Sequence, residues 1–192
     1  MTNANLSQAV FIDRDGTINE DIGYVSNADE LIIYPWAAEA IRTVNEAGMK
    51  AIVITNQSGI ARAMYTEEAL AEIHARMVEE LARDGARIDA IYYCPHHPRI
   101  GDERYRALCE CRKPLPGMLH RAAREQAIDL ARSYVIGDKA SDINLAASVG
   151  ARSALVLTGY GRETFDNRKQ WPCEPDIVAD NLLEAVKQIL QG

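Results

Sequence analysis

The stretch AVFIDRDGT, residues Ala9 to Thr17, joins an apolar segment directly to a polar turn. A continuous apolar run of this kind is typical of a strand that helices cover on both faces, as in a parallel sheet. In such sheets, ligands bind outside the carboxyl ends of the strands. Asp13 and Asp15 follow the run at once, and Gly16 permits a sharp turn. The stretch therefore predicts a buried strand with a functional site at its end.

Short apolar strands alternate with longer helices along the rest of the chain. The predicted strands are Ala9–Asp13, Ala51–Thr55, Ile88–Tyr93, Tyr134–Gly137, Ala154–Thr158 and Asp176–Ala179. The predicted helices are Trp36–Ala47, Thr66–Arg83, Pro116–Ala127, Ser141–Val149 and Asn181–Leu190. This order predicts a three-layer, Rossmann-like α/β fold with a mainly parallel sheet and helices on both faces. Two stretches are predicted to be irregular, Pro95–Pro114 and Gly159–Pro175.

Composition limits the classes of function. The 192 residues include 21 basic and 28 acidic side chains, which gives a formal net charge of −7. An acidic balance argues against a nucleic-acid-binding protein, which usually carries a basic stripe. No apolar run approaches the roughly 18 residues of a membrane span, and the N-terminus lacks a basic signal segment. We therefore expect one cytoplasmic domain over residues 1–192, a monomer without a nucleic-acid or membrane partner.

The two aspartates after the first strand indicate a cation site. Asp13 and Asp15 are two residues apart, so in extended backbone both side chains project to the same side. Two adjacent carboxylates repel each other unless a cation lies between them or one takes up a proton. Mg²⁺, a hard cation that prefers oxygen ligands, meets that requirement. The alternative is an ordinary Asp, Gly and Thr turn after a strand.

Four motifs in chain order carry a resemblance to a known superfamily. They are Asp13-x-Asp15-Gly16-Thr17, Thr55-Asn56-Gln57, Lys113 and Gly137-Asp138-x-x-x-Asp142. Together they resemble the motifs of the haloacid dehalogenase (HAD) superfamily. The resemblance implies a Mg²⁺-dependent phosphomonoesterase in which Asp13 is the nucleophile that forms an aspartyl-phosphate. It also implies that Asp15 is the general acid and base.

The same resemblance implies a ligand set for Mg²⁺. The metal is expected on the Asp13 carboxylate, the main-chain carbonyl of Asp15 and the Asp138 carboxylate. Asp142 fits two interpretations, a place near the metal and a cap for its own helix.

The resemblance further implies how the phosphoryl group is held. Thr55 is expected to hydrogen-bond it, and Lys113 is expected to neutralise it. Arg112 and Lys139 would add positive charge nearby, so that an anionic substrate is attracted despite the acidic balance of the whole chain.

A second set of candidate ligands lies in the predicted irregular stretch. It consists of two pairs in which the members are two residues apart, Cys94 with His96 and Cys109 with Cys111. Three thiolates and one imidazole suit a tetrahedral, structural Zn²⁺ site with no open position. The alternatives are His97 in place of His96, and three unrelated thiols. A small zinc-binding loop at 94–111 would position Arg112 and Lys113, which follow it directly.

The loop and its flanks resemble one family within the superfamily, the D-glycero-D-manno-heptose 1,7-bisphosphate 7-phosphatases. The stretches that carry this resemblance are Tyr92–Pro98 and Cys109–Met118. It implies removal of the 7-phosphate from a small sugar bisphosphate on the route to ADP- or GDP-heptose and lipopolysaccharide. The substrate-binding residues that it implies are Asp21, Ile22, Gly23, Tyr24, Thr55, Asn56, Gln57, Ser58, Arg112, Lys113 and Lys139.

Two other functions compete with this interpretation. Histidinol-phosphate phosphatases share the core and a similar zinc loop. Their cationic substrate favours extra carboxylates, so Arg112 and Lys113 favour the sugar bisphosphate, while Glu20, Asp21 and Glu110 weigh against it. A binding module stabilised by zinc, with an inactive site, is the alternative from another class. No insertion is long enough for a large cap domain, so we expect an open site.

Overall fold

The computed structural model describes residues 6–191. Its sheet has six strands: β1 Ala9–Ile12, β2 Lys50–Asn56, β3 Ala90–Cys94, β4 Tyr134–Gly137, β5 Arg152–Val156 and β6 Ile177–Ala179. All neighbouring strands pair in parallel, in the order β3-β2-β1-β4-β5-β6. Chain order reverses between β1 and β4, so the end of β1 lies at the switch point where open α/β sheets bind ligands.

Six helices pack on the sheet: α1 Ala37–Glu46, α2 Glu67–Arg83, α3 Gly117–Gln126, α4 Ala140–Ser148, α5 Gly161–Asp166 and α6 Leu182–Gln191. They form two apolar cores, one on each face. Val10 and Ile12 of β1 enter the core shared with α1, α2 and α6. Ala9 and Phe11 enter the core shared with α3 and α4. The predicted three-layer α/β fold is therefore confirmed, and its uninterrupted apolar strands are buried on both faces.

The longest helix shows why the sequence pattern locates these elements well. The hydroxyl of Thr66 accepts a hydrogen bond from the backbone N–H of Ala69 and caps α2. Two glutamates in its first turn suit the positive end of the helix dipole. One face of α2 is an apolar stripe that is buried and comprises Leu70, Ile73, Met77 and Leu81.

The structure differs from prediction in several places. β3 begins at Ala90 and ends at Cys94, two residues and one residue later than expected. β5 begins at Arg152 and ends at Val156, two residues earlier than expected at each end. The stretch predicted to be irregular after it contains α5. Pro95–Pro114 has no helix or strand, as expected. Within residues 6–191, no separate cap domain is inserted between the strands, and no helix is long and apolar enough to cross a membrane.

Candidate active site

Three buried carboxylates meet at the carboxyl edge of the sheet. Asp13 follows β1, Asp138 follows β4, and Asp142 lies in the first turn of α4. One carboxylate oxygen of each lies within 4.8 Å of those of the other two. Their exposed fractions are 5%, 0% and 0%, so little water reaches them to screen their repulsion. Such a cluster needs positive charge from another source.

Lys113 supplies part of that charge. Its ammonium Nζ lies 2.9 Å from Asp13 Oδ1 and 2.7 Å from Asp142 Oδ1. It also donates a hydrogen bond to the carbonyl oxygen of Ile54, at 3.2 Å. Burial favours the neutral amine, but the two carboxylates raise the pKa of Lys113 above its ordinary value. Lys113 is therefore a fixed cation that ties the ends of β1 and β2 to α4.

One lysine does not neutralise three carboxylates. Burial and the neighbouring carboxylates raise the pKa of Asp13 to about 6 and that of Asp138 to about 8. Asp138 Oδ2 accepts a hydrogen bond from the backbone N–H of Tyr160, but buried Oδ1 has no hydrogen-bond partner among the described residues. Oxygen donors with excess negative charge and an unused lone pair suit a hard divalent cation.

Of the two interpretations of Asp142, the structure shows the helix cap directly, and it adds an ion pair. One carboxylate oxygen accepts a hydrogen bond from the backbone N–H of Lys139 at 3.2 Å, which caps α4. The other forms the ion pair with Lys113. Asp142 therefore fixes the lysine and the start of the helix at once.

The Asp15 carboxylate lies outside the cluster of three. Arg14 Nε and Nη2 donate to Asp15 Oδ1 at 3.0 and 2.8 Å, and Asn19 Nδ2 donates to the same oxygen at 3.0 Å. Burial alone would raise its pKa, but these donors hold the pKa of Asp15 below its ordinary value. The side-chain partners of Asp13 in the cluster are thus Asp138 and Asp142, rather than Asp15 as the two-residue spacing suggested.

The four predicted zinc ligands converge in one place. The Cys94 sulfur lies 3.6 Å from that of Cys109 and 3.1 Å from that of Cys111, and Cys109 lies 3.4 Å from Cys111. His96 Nδ1 lies 3.3 Å from the Cys111 sulfur. Ligand atoms on a tetrahedral Zn²⁺ with bonds of about 2.3 Å are about 3.8 Å apart, so the cluster suits such an ion after a slight expansion.

His97 is turned away from this cluster. Its Nδ1 accepts hydrogen bonds from the backbone N–H groups of Arg99 and Ile100, and its Nε2 lies 3.3 Å from Arg62 Nη2. The structure therefore favours His96, and not its neighbour, as the fourth candidate ligand.

Comparison with known proteins identifies the family. The Hydrolase_like family model, described as HAD-hydrolase-like, matches residues 110–185. The D-glycero-D-manno-heptose-1,7-bisphosphate 7-phosphatase of Thermosynechococcus vestitus is 40% identical over 187 residues, which cover 94% of each chain. The chain belongs to this phosphatase family.

Further relatives agree with that assignment. The D-glycero-beta-D-manno-heptose-1,7-bisphosphate 7-phosphatase of Yersinia pestis is 46% identical over 79% of this chain and 81% of its own. A crystal structure of D,D-heptose 1,7-bisphosphate phosphatase from B. bronchiseptica, complexed with magnesium and phosphate, is 38% identical with a TM-score of 0.84. It covers 96% of this chain and 98% of its own. The prediction of a heptose bisphosphate phosphatase, over a histidinol-phosphate phosphatase, is confirmed at the level of family.

In this member of the heptose bisphosphate phosphatase family, the end of β2 and the loop after it contribute buried polar groups to the site. Thr55 is 1% exposed, and its Oγ1 accepts a hydrogen bond from Gln57 Nε2 at 2.7 Å. The Asn56 side chain accepts from the backbone N–H of Lys113 at 3.0 Å and donates to the carbonyl oxygen of Lys113 at 3.2 Å. Ser58 is half-buried beyond them. Asn56 thus fixes the backbone of Lys113. Gln57 is buried, and its amide nitrogen hydrogen-bonds to the Thr55 hydroxyl.

The remaining predicted substrate residues lie on the approach to the site. Lys139 Nζ lies 2.9 Å from Asp21 Oδ2 and 3.8 Å from Asp138 Oδ1, so the 21–24 loop is tied to the carboxylate cluster. Ile22 and Gly23 are exposed, and Tyr24 is half-buried. On the other side, half-buried Arg112 donates a hydrogen bond to the carbonyl oxygen of His96 at 3.2 Å.

Sequence reasoning missed the residues that close the site beneath Asp138. The Thr158 hydroxyl donates to the carbonyl oxygen of Gly16, and Tyr160 donates its N–H to Asp138. A Cβ at Gly159 would lie 2.3 Å from Asp138 Oδ2, and one at Gly16 would lie 2.2 Å from it. Two glycines are therefore needed for the chain to pass this carboxylate. Gly16 could be found from the sequence because it belongs to a motif. The approach of Gly159 to the same carboxylate could not, because the two turns are far apart in the sequence and meet only in the folded chain.

Proposed function

We propose that the protein hydrolyses the 7-phosphate of D-glycero-D-manno-heptose 1,7-bisphosphate in the cytoplasmic synthesis of ADP- or GDP-heptose. The observation that carries this proposal is the buried cluster of Asp13, Asp138 and Asp142 around Lys113, in a chain of this family. The cluster is built to hold a nucleophile and to neutralise a phosphoryl group, the two requirements of phosphoryl transfer.

Asp13 is the proposed nucleophile. The backbone N–H of Arg14 donates to Asp13 Oδ1 at 2.7 Å, and Lys113 approaches the same oxygen. Oδ2 is left to attack phosphorus, which forms the aspartyl-phosphate and breaks the bond between phosphorus and the sugar oxygen. Water then attacks that phosphorus, and the bond to Asp13 breaks to release inorganic phosphate and regenerate the carboxylate.

Asp15 is the proposed proton carrier. It gives its proton to the departing sugar alkoxide and later takes one from the attacking water. The hydrogen bonds from Arg14, Asn19 and Gln57 favour its ionised form, which is the form that the water step needs. An anionic phosphate ester beside it raises the pKa of a carboxyl group, which favours the protonated form for the first step.

A divalent metal completes the charge balance of this site. We propose that Mg²⁺ binds to the carboxylates of Asp13 and Asp138 and to the main-chain carbonyl of Asp15. When bound, the ion supplies charge that polarises a phosphoryl oxygen. Asp142 supports this ligand set indirectly, because it forms an ion pair with Lys113 and caps the start of α4.

We propose that Zn²⁺ holds the 94–111 loop in the shape that presents Lys113. Arg112 is bound to the carbonyl oxygen of His96, and the backbone N–H of Gly117 donates to the carbonyl oxygen of Glu110 at 2.8 Å. A Cβ at Gly117 would lie 2.5 Å from that oxygen, so the segment after the cysteines packs closely against the loop. The metal is structural because all four ligands come from the chain.

Purified protein is expected to carry about one zinc per chain, measured by elemental analysis. Cys109→Ala should lose the zinc and reduce kcat/KM by roughly tenfold or more, because the loop that ends at Lys113 loosens. Cys173→Ala is the matched control, since Cys173 lies outside the cluster and should retain both metal and activity. Native protein without zinc would contradict the proposal.

Positive groups around the entrance favour a second phosphate on the substrate. Lys139 lies at the edge of a cavity of about 390 Å³ that Tyr160 and Trp171 also line, and Arg112 lies on the zinc-loop side. The cationic side chain of histidinol phosphate would be repelled by both.

We propose that the enzyme acts as a monomer and as a single domain.

A substrate panel tests the function. The heptose bisphosphate is expected to exceed histidinol phosphate in kcat/KM by at least about tenfold, which is about 1.4 kcal/mol of discrimination in the transition state. Both anomers of the bisphosphate and p-nitrophenyl phosphate complete the panel. A preference for histidinol phosphate would reverse the assignment, and no turnover of any ester would leave an inactive binding module.

A further inference from the structure

A buried polar network surrounds the Asp15 carboxylate, and the mechanism above uses only its centre. Asp15 Oδ2 accepts hydrogen bonds from Arg14 Nη2 and Gln57 Nε2, each at 2.9 Å. Arg14 is 1% exposed, and its Nη1 lies 3.4 Å from Nε2 of His74 on α2. Burial and the adjacent guanidinium lower the pKa of His74 to about 3, so the imidazole is neutral and can accept this hydrogen bond.

Gln57 has one favoured orientation in this network: the Asp15 carboxylate, which only accepts, selects it, and the Tyr65 hydroxyl supports it by donating to Oε1. The amide nitrogen of Gln57 donates to Asp15 and to Thr55, while its Oε1 accepts a hydrogen bond from the Tyr65 hydroxyl. Burial raises the pKa of Tyr65 to about 12, so the hydroxyl keeps its proton. Rotating the amide by half a turn would aim its oxygen at the carboxylate and leave two acceptors facing each other.

The ring of Tyr65 is itself held in place. It is 8% exposed and packs with Ile60 and Leu70 in a small apolar cluster. A Cβ at Gly59 would lie 2.2 Å from the ring, so only glycine allows the ring to lie this close to the backbone. The hydroxyl is therefore presented to Gln57 from a fixed position.

We propose that Tyr65 is a positioning residue for proton transfer, which acts through Gln57 to hold the Asp15 carboxyl group where the leaving oxygen can reach it. This inference rests on the proposed function, because it requires Asp15 to be the general acid. The Tyr65 hydroxyl donates to Gln57, and Tyr65 is not one of the proposed ligands of either metal site. Its effect should appear only in the step that needs a proton.

In Tyr65→Phe, the remaining partner of Gln57 Oε1 is Arg14 Nη2, at a long 3.4 Å. Without the hydrogen bond from the Tyr65 hydroxyl, the Gln57 amide is held less firmly, and so is the Asp15 carboxylate to which it donates. A displacement of about 1 Å in a reacting group can reduce the rate by about a hundredfold. The loss should depend on the leaving group, because a sugar alkoxide needs a proton to depart and nitrophenolate does not.

The test compares kcat/KM of Tyr65→Phe for two esters, since that ratio does not include the later attack of water. With the heptose bisphosphate we expect a loss of about tenfold or more. With p-nitrophenyl phosphate the change should stay within about twofold. Tyr92→Phe is the matched control, a buried tyrosine whose hydroxyl donates to Glu125 at 2.9 Å, and both values should stay at the wild-type level.

Two further variants separate this inference from the proposed function. Asp15→Asn should show the same preference for the better leaving group in a stronger form. An equal loss on both esters in that variant would remove Asp15 as the acid, while the substrate panel would still decide the proposed function. If Asp15→Asn is selective but Tyr65→Phe reduces both esters equally or neither, the positioning role is overturned. Gln57→Leu breaks the same link from its other end, so the inference can be tested even if Tyr65→Phe folds poorly.

Discussion

Asparagine in place of Asp13 should abolish phosphatase activity while the fold survives. Turnover is expected to fall by roughly four orders of magnitude or more, as it does when a nucleophile is removed from other enzymes. A neutral amide cannot form the aspartyl-phosphate, yet it has the same volume as the carboxylate. Its oxygen can still accept hydrogen bonds from the backbone N–H of Arg14 and from Lys113. Turnover of the heptose bisphosphate and of p-nitrophenyl phosphate measures the effect.

The melting temperature distinguishes lost chemistry from lost structure. Asp13→Asn removes one of three buried carboxylates, which lessens the repulsion on the other two. In EDTA the variant should therefore melt at or above the wild-type temperature. Asp84→Asn is the control, because this exposed aspartate follows the C-terminal end of α2, at the edge of the sheet opposite the site. Turnover of Asp13→Asn within tenfold of the wild type would contradict the covalent mechanism.

Local sequence pattern predicts much of this fold because each element is stabilised by nearby residues. β4 has the predicted bounds, and α2 begins directly after Thr66, the residue at which its start was predicted. The predicted bounds of β5 were wrong because the neighbouring strand β4 decides which residues of the chain pair as β5. Arg152 and Ser153 pair in register with the first residues of β4, although neither is apolar. A pattern based on apolar runs extends instead into Leu157 and Thr158.

α5 was missed for a related reason. Six residues make fewer than two helical turns, too short for an apolar period to show. The start of the helix is packed against the preceding strand, a contact that an apolar pattern does not show. A Cβ at Gly161 would lie 1.7 Å from the carbonyl oxygen of Val156, so the helix starts close against the end of β5.

The part of the site that consists of motif residues could be predicted from the sequence. The position after the first strand pointed to Asp13, and the resemblance to the HAD motifs pointed to Lys113 and Asp138. The structure brings all three together with Asp142. The direction of the Asp15 side chain was not predictable, because it depends on a buried arginine. Arginine is almost never fully buried unless it is paired, and here the pairing with Asp15 decides where both groups point.

Methionine in place of Lys113 should both inactivate the enzyme and destabilise it strongly. The ammonium is 1% exposed and has acceptors for all of its protons in Asp13, Asp142 and Ile54. Its loss leaves two buried carboxylates without a cation, which costs about 3–5 kcal/mol in buried pairs. The free energy of unfolding in urea with EDTA measures this cost. Lys187→Met, which breaks the exposed ion pair with Glu184, should leave the free energy of unfolding near the wild-type value.

The destabilisation by Lys113→Met should increase with pH. In the wild type, burial raises the pKa of Asp13 to about 6, and Lys113 is the foremost group that lowers it. Without the lysine that pKa rises further above the unfolded value of 3.8. A carboxyl group whose pKa is raised by folding binds its proton more tightly in the folded state, so stability is lost as the pH rises through that range. The difference in free energy of unfolding between wild type and variant should therefore widen from about pH 5 to about pH 8. A difference that stays constant over this range would mean that Lys113 stabilises the fold through packing rather than through its charge.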